Sequence, residues 1–562
     1  MKMKGIQEHQ QKQPEQDKPE GQVKRQEQVV DTGPADFETA IAATGYGRFN
    51  YLLLLVAMPC CIGTVFETTT MSYVLPSAEC DLRLSLVDKG TLNAVTYGGM
   101  ITSAFFWGFL SDTYGRKRLL VYGFLLDATF NVLCATSQSV LAIMIFKFMG
   151  GFIICGPFAV LMAYLSEFHS LQHRSRVMMM VGIFYSIANV LLPSLAWAII
   201  PQSGWDFTLL DGKLAIHSWQ IFLAVCCLPS LLSGACCMFF PESPKFLMAK
   251  GRNEQAMAVF RTLYALNTGR TREDYPIKEL VDETAIKADG SVQKDQKEVL
   301  QKAPKISGLH SFQDQMRSMF GKTHLKNSLM AYSIQFGILF GLNTFRLWVP
   351  QLFTIIQEYE LDPTTFATDG SLCDMLAYKV NKSAVLQESD RLYVAVAPAS
   401  PLDTEELVCQ PTTQGDIYLN PLIIGCVGVG AYLVTTVLIN AIGNRNLLVY
   451  GLLTSGCCGL LLYWSKSSAI VLVLSATYIT IASISSTGLV GSVVAMFPTS
   501  MRTMVVSLTM MFGRTGSIIG NVLFPHLMAL GCWPPFLMIG SIHIVVALIS
   551  TTLPRTIKKP LQ

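Results

Sequence analysis

Twelve apolar segments, each long enough to cross a membrane, constrain the fold of this chain more than any other feature. A spanning helix needs about 20 mostly apolar residues. The chain also carries few charges, since 51% of its 562 residues are hydrophobic and 14% are charged, against about 25% charged in soluble domains. The sequence therefore predicts an all-α integral membrane protein with spans at roughly 50–75, 91–111, 119–137, 139–165, 177–200, 218–240, 326–350, 419–441, 446–464, 469–496, 503–526 and 534–553.

Polar stretches separate the spans into two groups of six and define the domain organisation. The first stretch is rich in Gln, Glu and Lys with little to bury, which is typical of a disordered tail. The middle stretch contains amphipathic helical patterns at 253–266 and 311–319. We expect a tail (1–48), a first six-helix bundle (49–240), a linker with amphipathic helices (241–325), a second six-helix bundle (326–553) that contains a long loop (354–418), and a short tail (554–562).

The distribution of charge predicts the orientation in the membrane. Basic residues cluster in loops 112–118 and 169–176 and in the linker, and cytoplasmic loops carry such an excess. Both termini are then cytoplasmic. Loop 354–418 has 11 acidic and 3 basic residues and is expected on the opposite side, either outside the cell or in a vesicle lumen. The protein itself is then expected in the plasma membrane or in an intracellular vesicle membrane. It contains the sequon Asn381-Lys382-Ser383, so we expect glycosylation at Asn381.

Two cysteines fall in the same acidic loop. Cys373 and Cys409 would lie in an oxidising compartment, where disulfides persist. We therefore expect a disulfide between them. Most other cysteines fall in apolar runs, where a small buried hydrophobic side chain is the ordinary role.

An internal repeat supports the division into two halves. Residues 115–123 read GRKRLLVYG, and residues 443–451, 328 positions later, read GNRNLLVYG. The same shift relates Arg174, after the fourth span, to Arg502, after the tenth. Parallel repeats of six spans form one known transporter architecture, with the substrate site near the midplane between the halves. The sequence thus predicts two pseudo-symmetric six-helix bundles.

The loop between spans two and three is unusually charged. Residues 108–118, GFLSDTYGRKR, resemble the loop signature of the major facilitator superfamily. Glycines there permit a tight turn, while an acid and several cations hold helix ends together. The alternative is a basic loop that only sets topology. We expect a conformational latch formed by Gly108, Asp112, Gly115, Arg116, Lys117 and Arg118, with Glu167, Arg174 and Arg502.

Further segments are similar to the synaptic vesicle glycoprotein 2 family of that superfamily. They read YLSEFHSLQHRSR (164–176), WAIIPQSGW (197–205), HSWQIF (217–222), PESPKFL (241–247) and VLPSAECD (74–81). The resemblance implies the twelve-span major facilitator fold. It leaves two functions open, namely transport of a solute and a role in vesicle trafficking or as a receptor, with partners on the amino-terminal tail.

Ionisable residues inside spans are costly unless paired or hydrated, so they are candidate functional residues. The sequence places five of them there: Glu67, Asp127, Lys147, Arg346 and Arg514. We expect the mid-membrane charges to face a watery cleft between the halves. Arg514 lies near the middle of its span, in a context similar to the span-eleven motif of organic-anion carriers, which implies an anionic substrate. A structural ion pair with Glu67 is the alternative.

Asp127 and Lys147 fall at similar depth on neighbouring spans, so we expect them to pair. The pair would serve as scaffold or as a proton-sensitive switch. Arg346 is expected to extend to the outer rim of the membrane. Trp348, with Trp197, Tyr185 and Tyr478, is a candidate aromatic wall for a ring-bearing substrate.

Other function classes have little support. The sequence has no Walker loop, no Ser/His/Asp set and no metal-ligand spacing, so neither enzymatic activity nor a cofactor is expected. A formal net charge of +3 does not suggest nucleic acid as a partner. The expected function is secondary active transport of a small organic solute, with a bias toward anions and coupling to protons.

Overall fold

The structure is a computed structural model that describes residues 34–202, 204–205, 207–209, 214–281, 322–361, 371–377, 416–497 and 499–553. Asn381, Cys409 and the amphipathic pattern at 311–319 therefore lie outside the described residues.

The amino-terminal half is a bundle of six spans. A short helix, α1 (Phe37–Ala43), precedes it. The spans are α2 (Arg48–Ala78), α3 (Leu86–Tyr114), α4 (Arg116–Ala135), α5 (Val140–Glu167), α6 (Leu171–Ile199), and a broken sixth span made of α7 (Ser218–Val225) and α8 (Leu228–Cys237). A two-stranded antiparallel hairpin, β1 (Phe207–Leu209) and β2 (Leu214–Ile216), which the sequence pattern did not predict, lies between α6 and α7.

The carboxy-terminal half is a second bundle of six spans. Two short helices, α9 (Pro244–Ala249) and α10 (Asn253–Thr268), come before it. Its spans are α11 (Lys322–Leu361), α12 (Asp416–Ile442), α13 (Asn444–Leu461), α14 (Ser468–Met496), α15 (Thr499–Leu530) and α16 (Trp533–Ser550). A 3-10 turn, Leu462–Trp464, follows α13. The predicted twelve-helix, two-bundle fold is confirmed.

Hydropathy differs among the twelve spans in a way that reflects their positions. Within the described chain, nine spans are long and apolar enough to cross a membrane, with α7 and α8 counted as one. The other three long helices are α3, α11 and α15. These three pack at the junction of the bundles, α3 against α15 and α11 against α2. Their buried polar residues, such as Asn343 and Asn521, lower the hydropathy of helices that face protein rather than lipid.

The two bundles repeat the same local geometry. Gly115 (φ 96°) precedes α4, and Gly443 (φ 78°) precedes α13. A positive φ is accessible to glycine at little cost, which explains why both repeats begin with this residue. We call the side of the molecule that carries α1, α10, Gly115 and Gly443 the tail face, and the opposite side the loop face.

Glycines bring neighbouring helices into backbone contact within each bundle. A Cβ atom at Gly151 of α5 would overlap the backbone of Thr96 on α3, and one at Gly516 of α15 would overlap the backbone of Phe336 on α11. Small residues at such positions are the usual route to close packing in membranes. These glycines therefore allow the helices to approach closely.

The tail face contains more ordered structure than the sequence suggested. Phe37 and Ile41 of α1 are buried, and Phe37 packs against Phe260 of α10. Asn267 of α10 donates to Asn50 of α2 at 3.0 Å. The predicted disordered tail, residues 1–48, therefore ends too late, because residues 34–48 fold against α10 and the bundle. Helix α10, which covers the amphipathic pattern predicted at 253–266, lies under the bundle.

The disulfide prediction was wrong in its partner. Cys373 pairs with Cys532, which lies between α15 and α16, and not with Cys409. The cause is proximity, since Leu372 N donates to Ser465 O and so fixes the segment against the loop face of the second bundle. Cys80, at the loop-face end of α2, is also disulfide-bonded.

Candidate functional site

A buried polar chain crosses the interior of the first bundle. Lys147 Nζ on α5 lies 3.0 Å from Glu67 Oε2 on α2 and donates to Asn131 Oδ1 on α4 at 3.0 Å. Asn131 Nδ2 donates to Asp127 Oδ2 at 3.4 Å, and the Ser230 hydroxyl of α8 donates to the same oxygen at 2.6 Å. Four helices thus share one network of three ionisable groups.

The expected direct pair of Asp127 and Lys147 is wrong. Lys147 takes Glu67 as its carboxylate partner, and Asn131 stands between Lys147 and Asp127. Asp127 and Lys147 lie at similar depth along their helices, but the rotation of each helix about its axis turns Lys147 toward Glu67 instead. The expectation that Lys147 faces a watery cleft is also wrong, because the Lys147 and Glu67 side chains are both 1% exposed.

The network leaves acceptor capacity unused. Glu67 Oε1 and Asp127 Oδ1 are buried without a hydrogen-bond partner. Gly150 of α5 provides the space for Glu67, because a Cβ atom there would overlap Glu67 Oε1. A carboxylate oxygen without a donor is costly to bury. Each of the two carboxylates therefore keeps one oxygen that could accept a further hydrogen bond.

Arg514 lies at the junction of the two bundles. It projects from the middle of α15 and donates from Nη1 to Cys155 Sγ on α5 at 3.0 Å. The alternative of an ion pair with Glu67 is wrong, since Glu67 is engaged by Lys147. Arg514 is half-buried, so it is accessible in a way that Lys147 is not.

Arg346 is a second interfacial cation that sequence reasoning misplaced. It was expected to extend to the outer rim, but its Nη2 donates to Thr69 Oγ1 on α2 at 3.4 Å. The Arg346 Nε is buried without an acceptor. Helix α11 continues to Leu361, well beyond the predicted end at 350, so Arg346 lies deeper than its predicted span implied.

Tyrosines, and not the predicted tryptophan, accompany these cations. Tyr97 of α3 and Tyr185 of α6 each lie within electrostatic range of both Arg346 and Arg514. Trp348 packs instead against Phe524 inside the second bundle. Of the predicted aromatic wall, only Tyr185 is at the junction.

The other two members of that wall lie elsewhere. Tyr478 is stacked on His543 within the second bundle, with ring centroids 4.8 Å apart. Trp197 is 51% exposed on the outside of the bundle.

Hydrogen bonds between the bundles concentrate toward the loop face. Lys89 of α3 is 1% exposed, contacts Glu79 at 2.7 Å, and donates to Gln351 of α11 at 3.2 Å. Ser77 and Tyr418 join α2 to α12 through their hydroxyls at 3.0 Å. Among hydrogen bonds between described residues, every one that joins the bundles lies at the depth of Arg514 or closer to the loop face.

The predicted latch is built around an acid that was not among the predicted residues. Glu242 Oε1 accepts the backbone N–H groups of Arg116 at 2.8 Å and Lys117 at 3.0 Å. Arg116 Nε lies 3.4 Å from Glu167 Oε2, and its guanidinium covers the Phe246 ring. A carboxylate at a helix N-terminus is favourable, so Glu242 holds the start of α4 to the segment after α8.

The remaining latch residues have mixed placements. Arg174 pairs with Glu38 of α1 at 2.9 Å, while Arg118 is exposed. Gly108, Asp112 and Arg502 lie on helices, but their surroundings are outside the described part of the structure. Beside Arg174, burial lowers the pKa of His169, which keeps this imidazole neutral near pH 7.

Several residues of the site carried weak signals in the sequence. Asn131 and Ser230 are ordinary polar residues of apolar segments, and Tyr97 is one tyrosine among 19. Glu242 was visible, because it lies in the PESPKFL segment next to the bundle. Among the described residues, no cluster of His, Cys, Asp or Glu could hold a metal ion.

Comparison with known proteins places this geometry in a family. The sequence model of the Major Facilitator Superfamily matches residues 49–377, and that of sugar and other transporters matches residues 410–562. Over 231 residues, which make up 41% of this chain, the chain is 34% identical to synaptic vesicle glycoprotein 2B of Rattus norvegicus and 32% identical to synaptic vesicle glycoprotein 2C of Mus musculus. The match spans about a third of those relatives, 34% and 32% of their length.

Solved structures agree on the fold. The inward-open xylose transporter XylE from E. coli superimposes with a TM-score of 0.61 and 15% identity, covering 91% of this chain and 98% of that one. The partially occluded inward-open form gives 0.59, again with 15% identity, covering 90% and 100%. Since the superfamily model matches more than half of the sequence and the two bundles have this architecture, the chain belongs to the Major Facilitator Superfamily and resembles its synaptic vesicle glycoprotein 2 branch.

Proposed function

We propose that this chain is an alternating-access secondary transporter of a small organic solute. The observation that supports this proposal best is the pattern of contacts between the two bundles. Hydrogen bonds join them from Arg514 to the loop face, and none between described residues joins them closer to the tail face. Two bundles that are joined at the loop face in this way can rock about a midplane site.

The tail face is proposed to be cytoplasmic, with both termini on that side. Its loops carry the basic residues, and the loop face carries the acidic segment with Asn381. The disulfide Cys373–Cys532 on the loop face supports this orientation, because disulfides persist in oxidising compartments. The membrane would be the plasma membrane or that of an intracellular vesicle. The tail-face latch would stabilise one of the two access states.

Proton coupling is proposed to use the Glu67 network. Among the described residues, no cation lies within ion-pair distance of Asp127, and the groups that face it are Glu67 from α2, Lys147 from α5, and Ser230 and Cys227 from the sixth span. Protonation of one carboxylate would change the balance of charge around Lys147. Replacement of Asp127 by Asn should therefore alter the pH dependence of uptake, whereas unchanged pH dependence would exclude the role.

An anionic substrate is proposed because Arg514 faces the junction without an acid. A guanidinium binds a carboxylate through two parallel hydrogen bonds, which an ammonium group cannot reproduce. The test is uptake into proteoliposomes under an imposed pH gradient, across carboxylates, sugars and amines. We expect carboxylate uptake that Arg514→Lys impairs and Arg514→Ala abolishes. Normal uptake by Arg514→Ala would contradict the assignment.

A second candidate function is a non-transporting role in vesicle trafficking. The similarity to synaptic vesicle glycoproteins 2B and 2C supports it. Residues 34–48 and α10 would then offer a folded surface to partners on the tail face. Absence of uptake for every solute class, together with retained folding, would favour this candidate.

A further inference from the structure

Two arginines at the junction of the bundles have no acidic partner in the part of the chain that the structure describes. Arg346 bonds the Thr69 hydroxyl and Arg514 bonds the Cys155 thiol, and both partners are neutral. Among the described residues, no carboxylate lies within ion-pair distance of either guanidinium. The nearest acidic network is committed, since Glu67 pairs with Lys147. Two positive charges are thus left uncompensated at membrane depth.

Two hydrogen-bond donors at the same place, the Tyr97 hydroxyl and the Arg346 Nε–H, also have no acceptor among the described residues. Tyr97 is 4% exposed, and its hydroxyl makes no hydrogen bond of good geometry, although the Arg346 guanidinium is beside it. The Arg346 Nε is buried without an acceptor. Tyr97 and Tyr185 come from the first bundle, whereas both arginines come from the second, so the set spans the junction.

Buried cations require compensation, and like charges that share neighbours repel one another. A ligand that brought one negative charge would compensate only one guanidinium. A ligand that brought two would compensate both, and its oxygens would accept from the Tyr97 hydroxyl and the free Arg346 Nε–H. The electrostatics therefore favour a ligand with two acidic groups over one with a single group.

We propose that the transported solute is a small organic dianion with two separate acidic groups, one bound by Arg514 and the other by Arg346, with Tyr97 donating to it. This inference rests on the proposed transport function and narrows its substrate class. Arg346 then determines specificity between diacids and monoacids, and Arg514 is the common anchor for both. The charge of the solute, not its length alone, is what the site selects.

The test uses the full chain and two matched probe pairs, succinate with succinamate and glutarate with glutaramate. Each pair keeps the length of the molecule and changes one charge. Binding is read without transport as protection of the purified chain against thermal unfolding, because a ligand that binds the folded state stabilises it. Uptake of the same four probes into proteoliposomes is measured in parallel. Lys466→Gln, which removes an exposed cation on the loop face, is the control.

We expect each diacid to protect the chain against thermal unfolding at concentrations about 10- to 100-fold lower than its monoamide. Arg346→Gln should remove this difference, and Arg346→Lys should keep part of it. Equal protection by diacid and monoamide, or a preference unchanged in Arg346→Gln, would overturn the dianion inference while uptake still supports a transporter. Protection by diacids without uptake would support the site and overturn transport.

Discussion

Lys147 Nζ lies 3.0 Å from Glu67 Oε2, and both side chains are 1% exposed in the core of the first bundle. This ion pair couples α2 to α5, two helices that must keep a fixed relationship if the bundle moves as one body. Asn131 extends the contact to α4. The pair is therefore both a structural element of the bundle and a neighbour of the proposed proton-binding acid.

Removal of one partner should be more damaging than removal of both charges. Lys147→Ala leaves Glu67 buried without a cation, so we expect the free energy of unfolding to fall by about 3–5 kcal/mol. The double variant Glu67→Gln, Lys147→Met should be less destabilised than Lys147→Ala. Denaturation of the purified protein in detergent measures both. A double variant that is as destabilised as Lys147→Ala, or more so, would contradict this prediction.

Gly150→Ala should disturb the same pair without removing a charge. The new methyl group would overlap Glu67 Oε1 and push the carboxylate from its place, at a cost of about 1–3 kcal/mol in unfolding free energy. Gly430→Ala is the matched control, because Gly430 lies in α12 with no atom near the added Cβ. An equal response of the two variants in the same denaturation assay would argue against this role for Gly150.

Lys89 should hold the loop face closed. Lys89→Ala removes its contacts with Glu79 and with Gln351 of the opposite bundle, so we expect the open population at the loop face to rise roughly tenfold. Spin labels at Val87 and Leu530, both exposed at the loop-face ends of α3 and α15, would report the distance between the bundles. The exposed Lys466→Ala is the control, and identical distance distributions in all three proteins would contradict the prediction.

Non-reducing peptide mapping should recover a peptide that links Cys373 to Cys532. Cys532→Ser should release Cys373 as a free thiol. Cys80 is disulfide-bonded as well. Of the 15 cysteines in the sequence, 11 are free thiols and Cys373 and Cys532 form the first pair, so Cys409 is left as the partner of Cys80. We therefore predict a Cys80–Cys409 link. A peptide joining Cys373 to Cys409 would contradict both assignments.

The fold was predictable because membrane spans leave a strong signal in the sequence. Hydrocarbon requires long apolar helices, and the repeat GRKRLLVYG/GNRNLLVYG fixed the division into halves. The hairpin of β1 and β2 was not predictable in this way, since three-residue strands leave no periodic pattern. The order in residues 34–48 was also hidden, because the burial of Phe37 depends on α10, more than 200 residues later.

The site was predictable in its residue types but not in its pairings. Depth along a helix follows from counting residues, which is why Glu67, Lys147 and Arg514 were found. Which way each side chain points depends on helix rotation and tilt, and these come from packing at positions such as Gly150. Arg346 and Lys89 gain their importance from contacts with the opposite bundle, which no local pattern encodes.

The central claim is that this chain moves a solute by alternating access around Arg514, and solute counterflow tests it most directly. Proteoliposomes that contain the full chain are preloaded with unlabelled dicarboxylate and exposed to trace labelled dicarboxylate. We predict transient accumulation of label above equilibrium with the intact chain and none with Arg514→Ala. No accumulation with the intact, folded chain for any solute tested, or equal accumulation with Arg514→Ala, would contradict the account.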